Sequence, residues 1–247
     1  MLGLPDAVHA CLFDMDGVIT KTATVHAAAW KEMFDEFLRQ RAEQAHTEFV
    51  PFDPGSDYDR YVDGKPRLDG TRSFLQSRGI DLPEGTPDDP SGAPTVWGLS
   101  TRKNELVLAK IAAGGVEVYP GSVSYVSYAK KIGLKTAVVS SSANTQQILA
   151  SAGLSDLFEV RVDAQYLDAH SLRGKPAPDS FLAAAKELGV SPAEAAVYED
   201  ALAGVAAGRA GNFGLVVGVD RVGQADALRE HGADIVVKDL AELMDEK

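Results

Sequence analysis

Short apolar runs without polar interruption recur along the chain, over residues 9–13, 136–139, 195–198, 214–219 and 233–237. They are rich in Val, Ile and small apolar residues, and none alternates with polar positions. That pattern predicts parallel strands covered on both faces. Helical stretches fall at 122–132, 144–152, 179–188 and 201–210. Strand and helix in alternation imply βαβ crossovers, so the expected core is an α/β, Rossmann-like doubly wound parallel sheet.

The rhythm breaks after the first run. A long helical pattern over 25–39 carries Trp30, Met33, Phe34 and Phe37. An irregular polar stretch follows, and its segment PEGTPDDPSG at 83–92 reads as an exposed loop. A second helical pattern covers 101–113, and the chain returns to the sheet near Tyr119-Pro120-Gly121. The expected organisation is a helical insert at 22–116 within a core made of 1–21 and 117–247.

Composition narrows the picture. With 247 residues, 45% hydrophobic and 24% charged, the chain has the apolar content of a globular core and too much for disorder. No apolar stretch reaches the roughly 18 residues of a bilayer span. The start MLGLPD lacks a secretory pattern, and the single cysteine, Cys11, sits inside an apolar run. A cytoplasmic protein with a buried, inert thiol is expected. The net charge of −12 disfavours nucleic acid and anionic membranes as partners. It would also repel an anionic substrate, so any Lys or Arg near a strand end becomes informative.

Ligands of open parallel sheets bind outside the carboxyl ends of the strands. Four polar signals lie at such places. Asp14-Met15-Asp16-Gly17 offers one carboxylate as a nucleophile and a second to exchange a proton, with Gly17 turning the chain away. The same residues also suit a turn or helix cap. Ser140-Ser141-Ser142-Ala143-Asn144 offers hydroxyl and amide donors to a phosphate, or simply an N-cap. Lys175, in RGKPAPD at 173–179, can set an ammonium against a phosphoryl group, or belong to a surface loop. The adjacent acids Glu199 and Asp200 suit Mg²⁺ ligation, or a helix start. Their order, each after its own strand, is harder to obtain by chance than any one of them.

Together these residues resemble the haloacid-dehalogenase-like superfamily, over essentially the whole predicted core. The resemblance implies Asp14 as the nucleophile that becomes an aspartyl-phosphate and Asp16 as the general acid/base. Ser140 and Lys175 would bind the transferring phosphoryl group. Asp14, the Asp16 carbonyl and Asp200 would hold Mg²⁺, with Glu199 as a further ligand or the partner of one. An insert after the first motif is similar to the helical cap of the β-phosphoglucomutase-like subclass. So are the run from Asp16 to Ala23 leading to His26 and Trp30, the segment Asp63-Gly64-Lys65-Pro66-Arg67, Arg102-Lys103-Asn104, and Val118-Tyr119-Pro120-Gly121.

By that likeness Gly17, His26, Trp30, Gly64, Arg67, Lys103, Ser141, Ser142 and Asn144 are expected to line the substrate. Read from the helix alone, a histidine such as His26 is more often structural or solvated, and Trp30 reads as core of the insert. The pattern departs from the subclass at Lys21, Pro66 and Ala143. The implied activity is Mg²⁺-dependent phosphoryl transfer between β-glucose 1-phosphate and glucose 6-phosphate, primed by glucose 1,6-bisphosphate. The alternative is a phosphatase of small sugar phosphates. The small insert and acidic surface are compatible with a monomer.

Overall fold

The computed structural model describes residues 2–244, and the chain divides into two compact units, Met1–Lys21 with Val116–Lys247, and Thr22–Gly115. The first contains six parallel strands: β1 Ala10–Phe13, β2 Lys135–Val139, β3 Val160–Val162, β4 Ala195–Glu199, β5 Leu215–Val219 and β6 Ile235–Val237. Their order across the sheet is β3-β2-β1-β4-β5-β6, the doubly wound arrangement expected from the apolar runs. Strand β1 lies between β2 and β4, with Phe13 level with Val138 on one side and Tyr198 on the other.

Alternation along each strand divides the core between two faces. Ala10 and Leu12 pack with Val139, Val197, Phe181 and Val205. Cys11 and Phe13 pack with Tyr125, Ala196, Tyr198 and Val217. The helices of this unit are α4 Pro120–Lys131, α5 Thr145–Ser151, α6 Ala164–His170, α7 Asp179–Leu188, α8 Leu202–Ala210 and α9 Ala225–Glu230. Cys11 is buried with its Sγ 3.6 Å from the Tyr198 hydroxyl, and burial pushes its thiol up to about 12.

The second unit is helical among the described residues. It contains α1 Ala23–Ala45, a π turn at Tyr58–Val62, α2 Arg67–Ser77 and α3 Val96–Gly114. Its core is aromatic: Phe34 lies 5.3 Å from Trp30 and 4.1 Å from Phe74, and Phe52 lies 5.0 Å from Phe74, between ring centroids. Leu38 is buried whereas Phe37 is only half-buried, because the buried stripe of α1 runs through Trp30, Met33, Phe34 and Leu38. Thr71 and Ser100, both fully buried, join α2 to α3 through a 2.8 Å hydroxyl–hydroxyl hydrogen bond. The segment 83–92 is irregular and ends near the α3 cap, where Thr95 Oγ1 accepts from the Gly98 amide. No helix among the described residues is long and apolar enough to cross a membrane.

Candidate active site

All six strands are parallel, so their carboxyl ends share one edge of the sheet. Lys238 follows β6, and an acid or a serine follows each of the other five: Asp14 after β1, Ser140 after β2, Asp163 after β3, Asp200 after β4 and Asp220 after β5. Two of these acids are committed to local structure. Asp163 caps α6 by accepting from the Tyr166 amide and pairs with Arg161. Asp220 Oδ1 accepts from the amides of Val222, Gly223 and Gln224. The remaining positions flank β1, where the crossover direction reverses and a crevice opens.

Lys175 is the hub of that crevice. Its loop precedes α7, whose Phe181 ring lies 4.9 Å from Nζ. Nζ donates to Asp14 Oδ1 at 2.5 Å, to Glu199 Oε1 at 2.6 Å and to the Val139 carbonyl at 3.2 Å. An ammonium has three donors, so this one is saturated. Glu199 is equally committed, because its Oε2 accepts from the Ala201 amide at 2.8 Å. Glu199 therefore bridges Lys175 to the start of α8.

One ammonium faces several buried acids. Asp14, Glu199 and Asp200 are all buried and each can bring an oxygen within 4.8 Å of the other two. Burial pushes the Asp14 carboxyl well above the usual carboxylate range; Lys175 opposes this, and the Glu199 and Asp16 carboxylates add to it. For Lys175, burial favours the neutral amine, but Asp14 and Glu199 outweigh it and raise the ammonium above its ordinary range. A surplus of hard oxygen donors around a single cation is the environment that a divalent metal neutralises, and the donor set suits Mg²⁺.

Two glycines make room for these carboxylates. Gly17 has φ +88°, and a Cβ there would lie 1.7 Å from Asp200 Oδ2. A Cβ on Gly204, in α8, would lie 1.7 Å from Glu199 Oε1. The sequence reading missed Gly204, although a glycine inside a helix, at a cost of about 1 kcal/mol, was a visible signal.

After β2, Ser140 Oγ donates to Asp16 Oδ2 at 3.3 Å and accepts from the Ser142 amide at 3.1 Å. Ser142 Oγ in turn accepts from the Asn144 amide, and the Ser142 carbonyl accepts from Thr145 Oγ1. The serines thus build the turn into α5 as well as presenting Ser140 to Asp16, and Ser141 and Asn144 are half-exposed beside them. Asp14, Asp16, Ser140, Lys175, Glu199 and Asp200 are accordingly gathered at one place.

The other expected residues lie in the helical unit. Lys103 is buried, with Nζ 2.8 Å from His26 Nδ1 and 4.7 Å from the centre of the Trp30 ring. An ammonium only donates, so Nδ1 accepts and the ring proton of a neutral His26 resides on Nε2. Trp30 is buried and stacked on Phe34, so it supports Lys103 from within the core of the unit. Gly64, at φ +69°, and Pro66 lead into α2, where Arg67 is the first residue. Arg102, by contrast, pairs with Glu36.

Residues 8–212 match the family model for haloacid dehalogenase-like hydrolase. The chain is 57% identical to a β-phosphoglucomutase of Mycobacterium bovis, covering 99% of this chain and 94% of that protein. It is 34% identical to the Bacillus subtilis β-phosphoglucomutase, covering 96% and 92% respectively. Among solved structures, the β-phosphoglucomutase of Clostridium difficile superimposes with a TM-score of 0.75 at 26% identity, covering 96% of this chain and 93% of that one.

Proposed function

The chain belongs to the haloacid dehalogenase-like hydrolase family, and within it we propose that it interconverts β-glucose 1-phosphate and glucose 6-phosphate through a phosphorylated Asp14. The reading is carried by the buried Asp14–Lys175–Glu199 group beside Asp200. Support for the substrate comes from the full-length likeness to β-phosphoglucomutases.

In this reading Asp14 starts each cycle as the aspartyl-phosphate, supplied by glucose 1,6-bisphosphate. The C6 hydroxyl of β-glucose 1-phosphate attacks phosphorus and Asp16 takes its proton, giving β-glucose 1,6-bisphosphate and free Asp14. The bisphosphate turns over in the site. Asp14 then attacks the C1 phosphate, Asp16 returns the proton to the departing C1 oxygen, and glucose 6-phosphate leaves. Ser140, hydrogen-bonded to Asp16, orients that carboxyl for both proton transfers.

Lys175 exchanges its bond to Asp14 Oδ1 for one to a phosphoryl oxygen, while Glu199 and the Val139 carbonyl keep the ammonium in place. Mg²⁺, held by Asp14, the Asp16 carbonyl and Asp200 with Glu199 beside them, would neutralise charge on the transferring group. Residues 22–116 serve as a cap that excludes water from the phosphorylated aspartate. Arg67 and the Lys103–His26 pair grip the non-reacting phosphate and the sugar, with Gly17, Gly64, Ser141, Ser142 and Asn144 along the substrate. The enzyme is proposed to act in the cytoplasm as a monomer.

Asp14→Asn tests the covalent step. It nearly preserves shape while removing the nucleophile. Turnover is expected to be lost below detection, with an unchanged circular dichroism spectrum. Retention of a tenth of wild-type turnover or more would exclude a phosphorylated Asp14.

A further inference from the structure

A second loop at the same edge of the sheet is bound to the one that carries Asp14 and Asp16. After β5, the chain turns through Asp220–Gln224, a turn fixed by the three amides that Asp220 Oδ1 accepts. Arg221 extends from this turn. Its Nε donates to the Gly17 carbonyl at 2.8 Å and its Nη2 to the Val18 carbonyl at 3.4 Å. Nη2 also reaches Ser122 Oγ at 3.4 Å, and Nη1 reaches the Lys238 carbonyl at 2.6 Å and Asp239 Oδ2 at 3.3 Å. A guanidinium has five N–H donors, and each has an acceptor here. The group also lies 3.5 Å from the centre of the Tyr119 ring. At the end of the same turn, Gln224 Nε2 donates to the Asp200 carbonyl at 3.0 Å.

Nothing in a doubly wound sheet requires this. Gly17 enters the turn at φ +88°. The turn closes on itself through the Gly17 amide on the Thr20 carbonyl at 2.7 Å and the Ile19 and Thr20 amides on the Met15 carbonyl at 2.9 Å each. Arg221 takes the Gly17 and Val18 carbonyls and ties the turn to the rest of the unit. That turn aims Asp16, and it brings Gly17 against Asp200 Oδ2. A planar fork that engages two successive carbonyls, anchored on two other segments, fixes such a turn where a single ammonium could not.

We infer that Arg221 is a positioning residue for phosphoryl transfer: it holds the Gly17–Val18 turn so that Asp16 is correctly placed for proton transfer. It touches neither substrate nor phosphorus and acts through the backbone. The inference rests on the roles proposed above for Asp14 and Asp16, and it makes an uneven demand on the chemistry. Transfer between sugar oxygens needs Asp16 to move a proton. Labelling of Asp14 by acetyl phosphate does not, because acetate leaves without one.

The test uses the full chain with Arg221→Lys and Arg221→Met. Two readings are taken: Mg²⁺-dependent labelling of Asp14 by acetyl phosphate, and sugar-phosphate turnover. Turnover is expected to fall about 10- to 100-fold in both variants, the scale of a misplaced catalytic group. The labelling rate should stay within about threefold of wild type by the same reasoning. Equal losses in both reactions, or wild-type turnover in both variants, would overturn the inference.

Amide exchange of peptides spanning 15–21 gives a measurement that does not depend on activity. Exchange at Gly17 to Ile19 should quicken in Arg221→Met while β1 stays protected, and unchanged exchange there would overturn the clamp. Wild-type protein that takes no label would refute the proposed function instead, and the exchange result would still decide the clamp.

Discussion

An added methyl at Gly17 would meet Asp200 Oδ2 at 1.7 Å, and the backbone there is already in the left-handed region. Any replacement must therefore displace the acid or the turn that carries Asp16. Gly17→Ala is expected to lower turnover by about 100-fold, the cost of misplacing reacting groups by about 1 Å. It should also weaken Mg²⁺ binding, measurable by titration calorimetry, since Asp200 is the group displaced. Wild-type turnover and Mg²⁺ affinity in this variant would contradict the packing described.

Much of the residue-scale detail was legible from sequence, because Asp14, Asp16, Ser140, Lys175 and Asp200 each follow directly on an apolar run or sit on a loop before a helix. What sequence could not show was which polar groups are already spoken for. Glu199 spends both oxygens on Lys175 and the Ala201 amide, and Asp163 and Asp220 cap local turns. Arg221 gave no signal of its own, since its five acceptors come from three separate segments.

At the scale of elements, the five strands with uninterrupted apolar runs were readable, and α7 matches its predicted span residue for residue. Strand β3 was not, because a charged side chain, Arg161, interrupts its three residues, Val-Arg-Val, whereas β6, equally short and at the opposite edge, is the apolar run Ile-Val-Val. Helix α2 was hidden for a related reason. It begins after Pro66 and includes a glycine, Gly70, whose missing side chain allows the Trp30 ring close approach.

The contact between α2 and α3 has a direct energetic test. Thr71 Oγ1 donates to the Arg67 carbonyl at 3.0 Å and shares the buried bond with Ser100. Thr71→Val should destabilise by about 1–3 kcal/mol, because Ser100 keeps a buried hydroxyl without its partner. Thr71→Val with Ser100→Ala should cost less than the sum of the single changes, by about 0.5–2 kcal/mol. Urea unfolding of the four proteins measures this. Strict additivity would mean that the two hydroxyls do not interact.

For the whole molecule, the parallel sheet supplies one edge at which Asp14, Lys175, Glu199 and Asp200 converge, and the charge balance there differs from that of the chain. A protein of net charge −12 repels sugar phosphates at long range. The proposed answer is local, with Lys175 and a divalent cation at the sheet edge. The proposed function adds a second phosphate to the substrate during the cycle, for which the cations Arg67 and Lys103 of the helical unit are the proposed partners. That expectation separates a mutase from a simple phosphatase.

The most direct measurement follows glucose 6-phosphate and free phosphate together, using the purified chain, β-glucose 1-phosphate, Mg²⁺ and trace glucose 1,6-bisphosphate. Rapid glucose 6-phosphate formation that depends on the bisphosphate is expected, with little free phosphate released. Free phosphate without glucose 6-phosphate would contradict it, and would mean that water rather than the sugar accepts the group from Asp14.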